Sequence, residues 1–164
     1  MAGDKSDNVP FEQRPWMKCA EITDAVIEGM SSGKYQFIRC NFPNGDMVGH
    51  TGSLQATVIS VESLDLCLKR IIEAADQYGY IVAITADHGN ADQMYELNKK
   101  KEYVVRTAHS LNPVPFIIYS NNKIYELDKK TELGLSNVAA TVANILEIEP
   151  YAEWEKSIIE TAIV

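Results

Sequence analysis

Between Leu54 and Ala75 the apolar residues Leu54, Val58, Val61, Leu64, Leu68, Ile71 and Ala75 recur at intervals of three and four. That spacing lines one face of an α-helix. Glu62, Asp65, Lys69 and Glu73 take the other faces, and Gly79 follows as the residue best suited to a left-handed C-terminal cap. Directly after comes 80-YIVAIT-85, a short, almost wholly apolar run that reads as a buried strand. A long amphipathic helix feeding such a strand argues for a layered α/β fold around a mainly parallel sheet.

The other segments suit the same architecture. Residues 1–19 read as irregular, punctuated by Pro10 and Pro15. A short amphipathic helix is expected from Ala20 to Met30, because Ile22, Ala25, Val26 and Met30 share a face and Ser31, Ser32 and Gly33 stop it. The run 35-YQFIRCNF-42 reads as a strand, and 116-FIIYS-120 as another. Residues 121–135 read as irregular or edge structure. A last helix is expected from Ser136 to Leu146, with Ser136 or Asn137 as N-cap and Pro150 beyond its end. Lys99, Lys100 and Lys101 form a basic run that reads as a solvated turn.

At 164 residues the chain has one domain's worth of sequence, enough to bury a core without covalent staples. Its formal net charge of −8 argues against a nucleic-acid partner, which requires a basic face. No apolar run reaches membrane-spanning length, so no membrane partner is expected. Cys19, Cys40 and Cys67 are widely spaced with no CxxC, a poor disulfide framework that fits a reducing cytoplasm. An anionic substrate remains compatible with an acidic chain if something locally positive receives it. Bound metal ions would serve.

The three histidines all fall in loops beside strands. His50 lies in 43-PNGDMVGHTG-52, four residues after Asp46. His88 follows Asp87 in 86-ADHGNAD-92, and His109 lies in 107-TAHSLNPVP-115. Gly45, Gly49 and Gly52 argue that the first of these segments is a loop and no helix. In a parallel α/β fold, ligands gather beyond the carboxyl ends of strands, where two of these loops begin. Asp46, His50, Asp87, His88 and His109 therefore form a mixed imidazole and carboxylate inventory suited to Zn²⁺, Mn²⁺ or Co²⁺. Each has a structural alternative: a histidine hydrogen-bonded at a strand end, or an aspartate closing a turn.

The strings 41-NFPNGDMVGHTG-52, 83-AITADHGNAD-92 and 109-HSLNPVPFI-117 resemble, in order, the C-terminal half of the cofactor-independent phosphoglycerate mutases of the alkaline phosphatase superfamily. The likeness runs from about Met17 to a family-like tail at 156-KSII-159. It implies an alkaline-phosphatase-like three-layer fold, incomplete here, with residues 1–164 as the C-terminal part of the metal-binding phosphatase domain. It also implies two divalent ions, Mn²⁺ foremost, with Zn²⁺, Co²⁺ or Mg²⁺ as alternatives. Asp46, His50 and His109 would hold one ion, Asp87 and His88 the other. The implied reaction interconverts 2- and 3-phosphoglycerate through a phosphoserine, in a cytoplasmic monomer.

Ser53, Ser60 and Ser63 do not match the family's nucleophile motif and read as helix residues. No position here corresponds to that serine or to the inserted phosphotransferase domain, so the isolated chain is expected to be inactive. Competing readings are another superfamily member, such as a phosphopentomutase or phosphodiesterase, and a metal-binding module without chemistry.

Overall fold

The computed structural model describes residues 9–129 and 133–163. The irregular stretch expected at residues 1–19 is therefore described only from Val9, and residues 130–132 of the 121–135 segment lie outside the described residues. The chain divides into two compact units, one ending at Ile117 and the other beginning at Ile118.

In the first unit, α1 (Cys19–Ser31) and α3 (Leu54–Tyr78) are the two helices that the apolar spacing predicts. Val26 and Met30 of α1 pack with Ile71, Ala74 and Ala75 of α3, and Ile38, Phe42, Tyr80 and Val82 close over them. Gly79 caps α3 in the left-handed conformation, φ 75°, and the Tyr80 N–H returns to the Ala75 carbonyl at 2.9 Å. Ser53, read as an ordinary residue of this helix, is its N-cap and accepts from the Ala56 N–H. Cys19 and Cys67 are both buried. The Cys19 thiol is pushed up to about 11, first by burial and then by its hydrogen bond with Cys67.

The buried face of α3 departs from the expected stripe. Ala56, Thr57, Ser60 and Cys67 are buried in its first two-thirds, while Leu54 is 60% and Val58 47% exposed. Small side chains let Met17, Phe11 and the α2 residues Met47 and Val48 pack closely at Ala56, while Leu54, Val58 and Val61 turn outward and Leu64 and Leu68 are half-buried. Of the expected stripe, Ile71 and Ala75 are buried and Leu64 and Leu68 partly so.

The segment 35–42 is not a strand. It bends at Gln36 and has no ladder partner among the described residues, with Tyr35 and Phe37 half exposed. Strand propensity alone cannot hold a backbone whose N–H and C=O groups find no neighbour. The segment is tethered instead by the Tyr80 hydroxyl, which donates to the Tyr35 carbonyl.

The second unexpected element is α2 (Asn44–Gly49), six helical residues where the glycines argued for a loop. Its anchor is Asn44, fully buried, whose Nδ2 donates to the carbonyls of Pro15 and Trp16 at 3.2 and 3.0 Å. Tertiary hydrogen bonds of this kind override the low helix propensity of glycine.

Strand β1 (Val82–Thr85) pairs with β4 (Phe116–Tyr119), which begins in this unit. β2 (Tyr95–Leu97) and β3 (Tyr103–Val105) form an antiparallel hairpin absent from the sequence reading. Its turn carries Lys99, Lys100 and Lys101, all exposed, organised by the Asn98 carboxamide oxygen accepting from the Lys100 and Glu102 N–H groups. The solvated-turn reading of the basic run holds.

In the second unit, β5 (Ile124–Leu127) pairs antiparallel with β6 (Ile159–Ile163). The last helix, α4 (Val138–Ile145), begins after a 3-10 turn at Leu135–Asn137. Asn137 occupies its N-cap position without capping it. Its Oδ1 accepts from the Gly134 N–H and its Nδ2 donates to the Lys156 carbonyl. Among the described residues, no helix is long and apolar enough to cross a membrane.

Candidate metal centre

Helix α2 answers the spacing of Asp46 and His50. Four residues apart on a helix, their side chains share a face, and His50 Nε2 lies 3.1 Å from Asp46 Oδ1. His109 reaches the same carboxylate oxygen from the loop before β4, its Nε2 3.1 Å from Asp46 Oδ1 and 3.3 Å from His50 Nε2. His88, in the loop after β1, stacks its ring on His109 with centroids 3.5 Å apart and planes at 8°. Ligand atoms of Asp46, His88 and His109 all lie within 4.8 Å of one another. Of the five residues singled out, four therefore converge. The Asp87 side chain stands apart, 82% exposed, with His88 Nε2 at 3.6 Å.

The loops carrying these residues are tied to one another. The Ser110 N–H donates to the Gly89 carbonyl at 2.8 Å, a bridge that sets the His88 and His109 loops side by side. Asp92 strengthens it, one carboxylate oxygen accepting from Ser110 Oγ at 2.7 Å and Asn112 Nδ2 at 2.5 Å. These two donors, Asn112 before Ser110, hold the Asp92 carboxyl below the usual carboxylate range. Arg106 positions the backbone at His109, donating to the Ala108 and His109 carbonyls at 3.0 and 3.3 Å while pairing with Glu96. A Cβ on Gly89 would overlap Ser110 Oγ, so this bridge requires glycine there.

Asn90 is the residue that sequence reasoning passed over. It is buried, and its Nδ2 donates to Asp46 Oδ1 at 3.1 Å and lies 3.1 Å from His50 Nε2. Its place within HGNAD, one residue beyond a histidine and a glycine, was the available signal.

The donor set fits a divalent cation. Tetrahedral ligands about 2.0–2.1 Å from an ion lie roughly 3.3 Å from each other. The Asp46, His50 and His109 atoms make a triangle with sides of 3.1, 3.1 and 3.3 Å. Two imidazole nitrogens and a carboxylate oxygen at such separations must share protons or a cation. His88 Nδ1, moreover, is buried with no hydrogen-bond partner, the state of a side chain whose partner is not protein. Nitrogen and carboxylate donors together suit Zn²⁺, Mn²⁺ or Co²⁺.

Known proteins place the same chemistry in a family. The Metalloenzyme superfamily pattern matches residues 5–150. The 2,3-bisphosphoglycerate-independent phosphoglycerate mutase of Trypanosoma brucei brucei is 45% identical over 168 residues, covering 96% of this chain and 30% of that protein. The enzyme of the same name from Zea mays is 39% identical over 165 residues, covering 94% and 30%. Among solved structures, Leishmania mexicana phosphoglycerate mutase at low cobalt concentration superposes with a TM-score of 0.83 and 39% identity, over 94% of this chain and 30% of that one. The chain thus spans about 30% of the length of these relatives. With an alkaline-phosphatase-like fold, a matched pattern over most of its length and divalent-metal donors gathered in its loops, the chain belongs to the Metalloenzyme superfamily.

Proposed function

We propose that this chain is the C-terminal, metal-binding part of the phosphatase-type domain of a 2,3-bisphosphoglycerate-independent phosphoglycerate mutase, interconverting 2- and 3-phosphoglycerate in the cytoplasm as a monomer. The observation that carries this reading is the Asp46, His50 and His109 triangle, with His88 stacked beside it. The relatives' shared name supplies the substrates. Asp46, His50 and His109 hold one divalent ion, Mn²⁺ foremost, and Asp87 with His88 supplies donors for a second. Such ions neutralise charge on a phosphoryl group and lower the pKa of a nearby hydroxyl.

The residues of this chain fix the geometry in which that chemistry works. Asp46 and His50 are aligned by α2, His88 and His109 by their stacked rings, and the two loops by Asp92 and Arg106. The phosphoserine that carries the group between oxygens forms on polypeptide other than this segment. Ser53 caps α3, Ser60 is fully buried, and Ser63 donates to the Ile59 carbonyl on the helix, away from the donor cluster in role.

The test is a coupled assay for 2-phosphoglycerate from 3-phosphoglycerate with Mn²⁺ or Co²⁺. It is run on the 164-residue chain and on a full-length polypeptide that includes it, with a pentose 1-phosphate as competing substrate. The full-length protein should turn over the glycerate and the segment alone should not. Turnover by the segment, or activity of the longer protein on the pentose phosphate alone, would overturn the assignment.

A further inference from the structure

We infer that Asn90 is a positioning residue of the metal centre: its carboxamide holds Asp46 and His50 at ion-binding separation before an ion arrives. The inference rests on the metal reading above and adds to it a residue that is not itself a ligand. Asn90 Nδ2 donates to Asp46 Oδ1 at 3.1 Å and approaches His50 Nε2 at 3.1 Å, so one amide group bridges the two side chains. The donor is buried, Asn90 being 7% exposed, and the bridge is part-buried, so water competes less for these bonds than at the open surface.

The amide acts as a neutral stand-in for a cation. It presents N–H donors to a carboxylate oxygen and to a ring nitrogen, the same two acceptors that an ion would draw together. A carboxylate oxygen has two lone pairs, so Asp46 can keep its bond to Asn90 when His50 gives its Nε2 lone pair to a metal. Asn90 is in turn seated by its own backbone, its carbonyl accepting from the Gln93 N–H at 2.9 Å. It is also seated by Gly49, where any side chain would overlap the Asn90 amide oxygen. Asn90 and Gly49 are therefore a matched pair: the absent Cβ is the room in which the amide sits.

The experiment compares Co²⁺ binding by the unaltered 164-residue chain and by Asn90→Ala, using calorimetry together with the visible absorption of the bound Co²⁺ at saturation. Partners that orient metal ligands are typically worth about 10–100-fold in affinity. Asn90→Ala should weaken binding by that factor while leaving the Co²⁺ band shape unchanged, because the ligand set is intact. A purely structural role would leave affinity unchanged once the variant is shown by circular dichroism to be folded, and that result would overturn the inference. An altered band shape would overturn it too, by making Asn90 a ligand. Should Asn90→Ala fail to fold, the Asn90 side-chain amide signals of the unaltered chain decide by NMR. They should be protected from exchange without metal and shift on adding one equivalent of Zn²⁺; unprotected, unmoved signals would refute the bridge. Failure of the unaltered chain to bind Co²⁺ would instead sink the metal reading itself, which separates the two.

Discussion

Two glycines of the same short helix, replaced by the same residue, should respond differently, and the difference isolates the contact on which the metal centre is built. In Gly45→Ala the new Cβ would lie 3.8 Å from the Ala91 Cβ, an ordinary contact. In Gly49→Ala it would overlap Asn90 Oδ1, lie 3.1 Å from Asn90 Cγ and 3.5 Å from the Ala91 nitrogen. Both substitutions gain helix propensity, up to about 1 kcal/mol, and this term largely cancels between them. What remains is the clash. If the structure holds, overpacking costs about 1–3 kcal/mol. If Asn90 yields, its hydrogen bonds to Asp46 and His50 are lost, at roughly 0.5–1.5 kcal/mol each. Either route makes Gly49→Ala the less stable of the pair by about 1–3 kcal/mol, or roughly 2–12 °C in Tm for a chain of this size. Thermal and urea unfolding of the two metal-free variants provide the measurement. Equal stability, or Gly49→Ala the more stable, would mean that Asn90 does not sit against α2 as described.

The remaining predictions concern the core, the loop tether and the donor set. Ile71→Ala, at a position 4% exposed in the α1–α3 core, should cost about 2–5 kcal/mol. Val58→Ala on the outward face of α3 should cost under ~0.5 kcal/mol. Similar losses at both sites in denaturant unfolding would restore the stripe that spacing alone suggests. Because hydrogen bonds from Asn112 and Ser110 depress the Asp92 carboxyl, its contribution is fully present above the ordinary carboxylate pKa of about 3.9 and is lost as pH falls through the lowered value. The Tm advantage of the unaltered chain over Asp92→Ala should therefore persist at pH 5 and shrink at pH 3, and an advantage unchanged at pH 3 would contradict the tether. Finally, structural zinc sites bind with about 10–16 kcal/mol over four ligands, or roughly 3–4 kcal/mol each. On that scale His109→Ala should lower divalent-metal affinity by two to three orders of magnitude in calorimetry, and an unchanged isotherm would remove His109 from the donor set.

Much of this protein is legible in its residues taken locally. The intervals of three and four mark α1 and the length of α3, Gly79 marks its end, and the apolar runs at 80–85 and 116–120 contain β1 and β4. Residue chemistry also singles out Asp46, His50, Asp87, His88 and His109, since each is a metal-donor type in a segment that reads as a loop, though Asp87 does not join the others. These signals survive without tertiary information since periodicity, capping and donor type belong to the segment itself.

The tertiary structure decided whatever depends on a distant neighbour. The run 35–42 has a strand's residues but, among the described residues, no adjacent backbone to complete a ladder, so it forms no strand. Residues 44–49 have glycines that speak against a helix, yet Asn44, bonded to the Pro15 and Trp16 carbonyls, stabilises one. That helix, in turn, brings Asp46 and His50 onto one face. The buried side of α3 is chosen by what packs on it, and small residues win over larger ones because they permit close approach. Asn90 becomes meaningful only when the chain, 44 positions on, returns it to Asp46. A hydrogen bond between side chains far apart in sequence has no periodicity to announce it, and it is from such bonds that the metal centre is assembled.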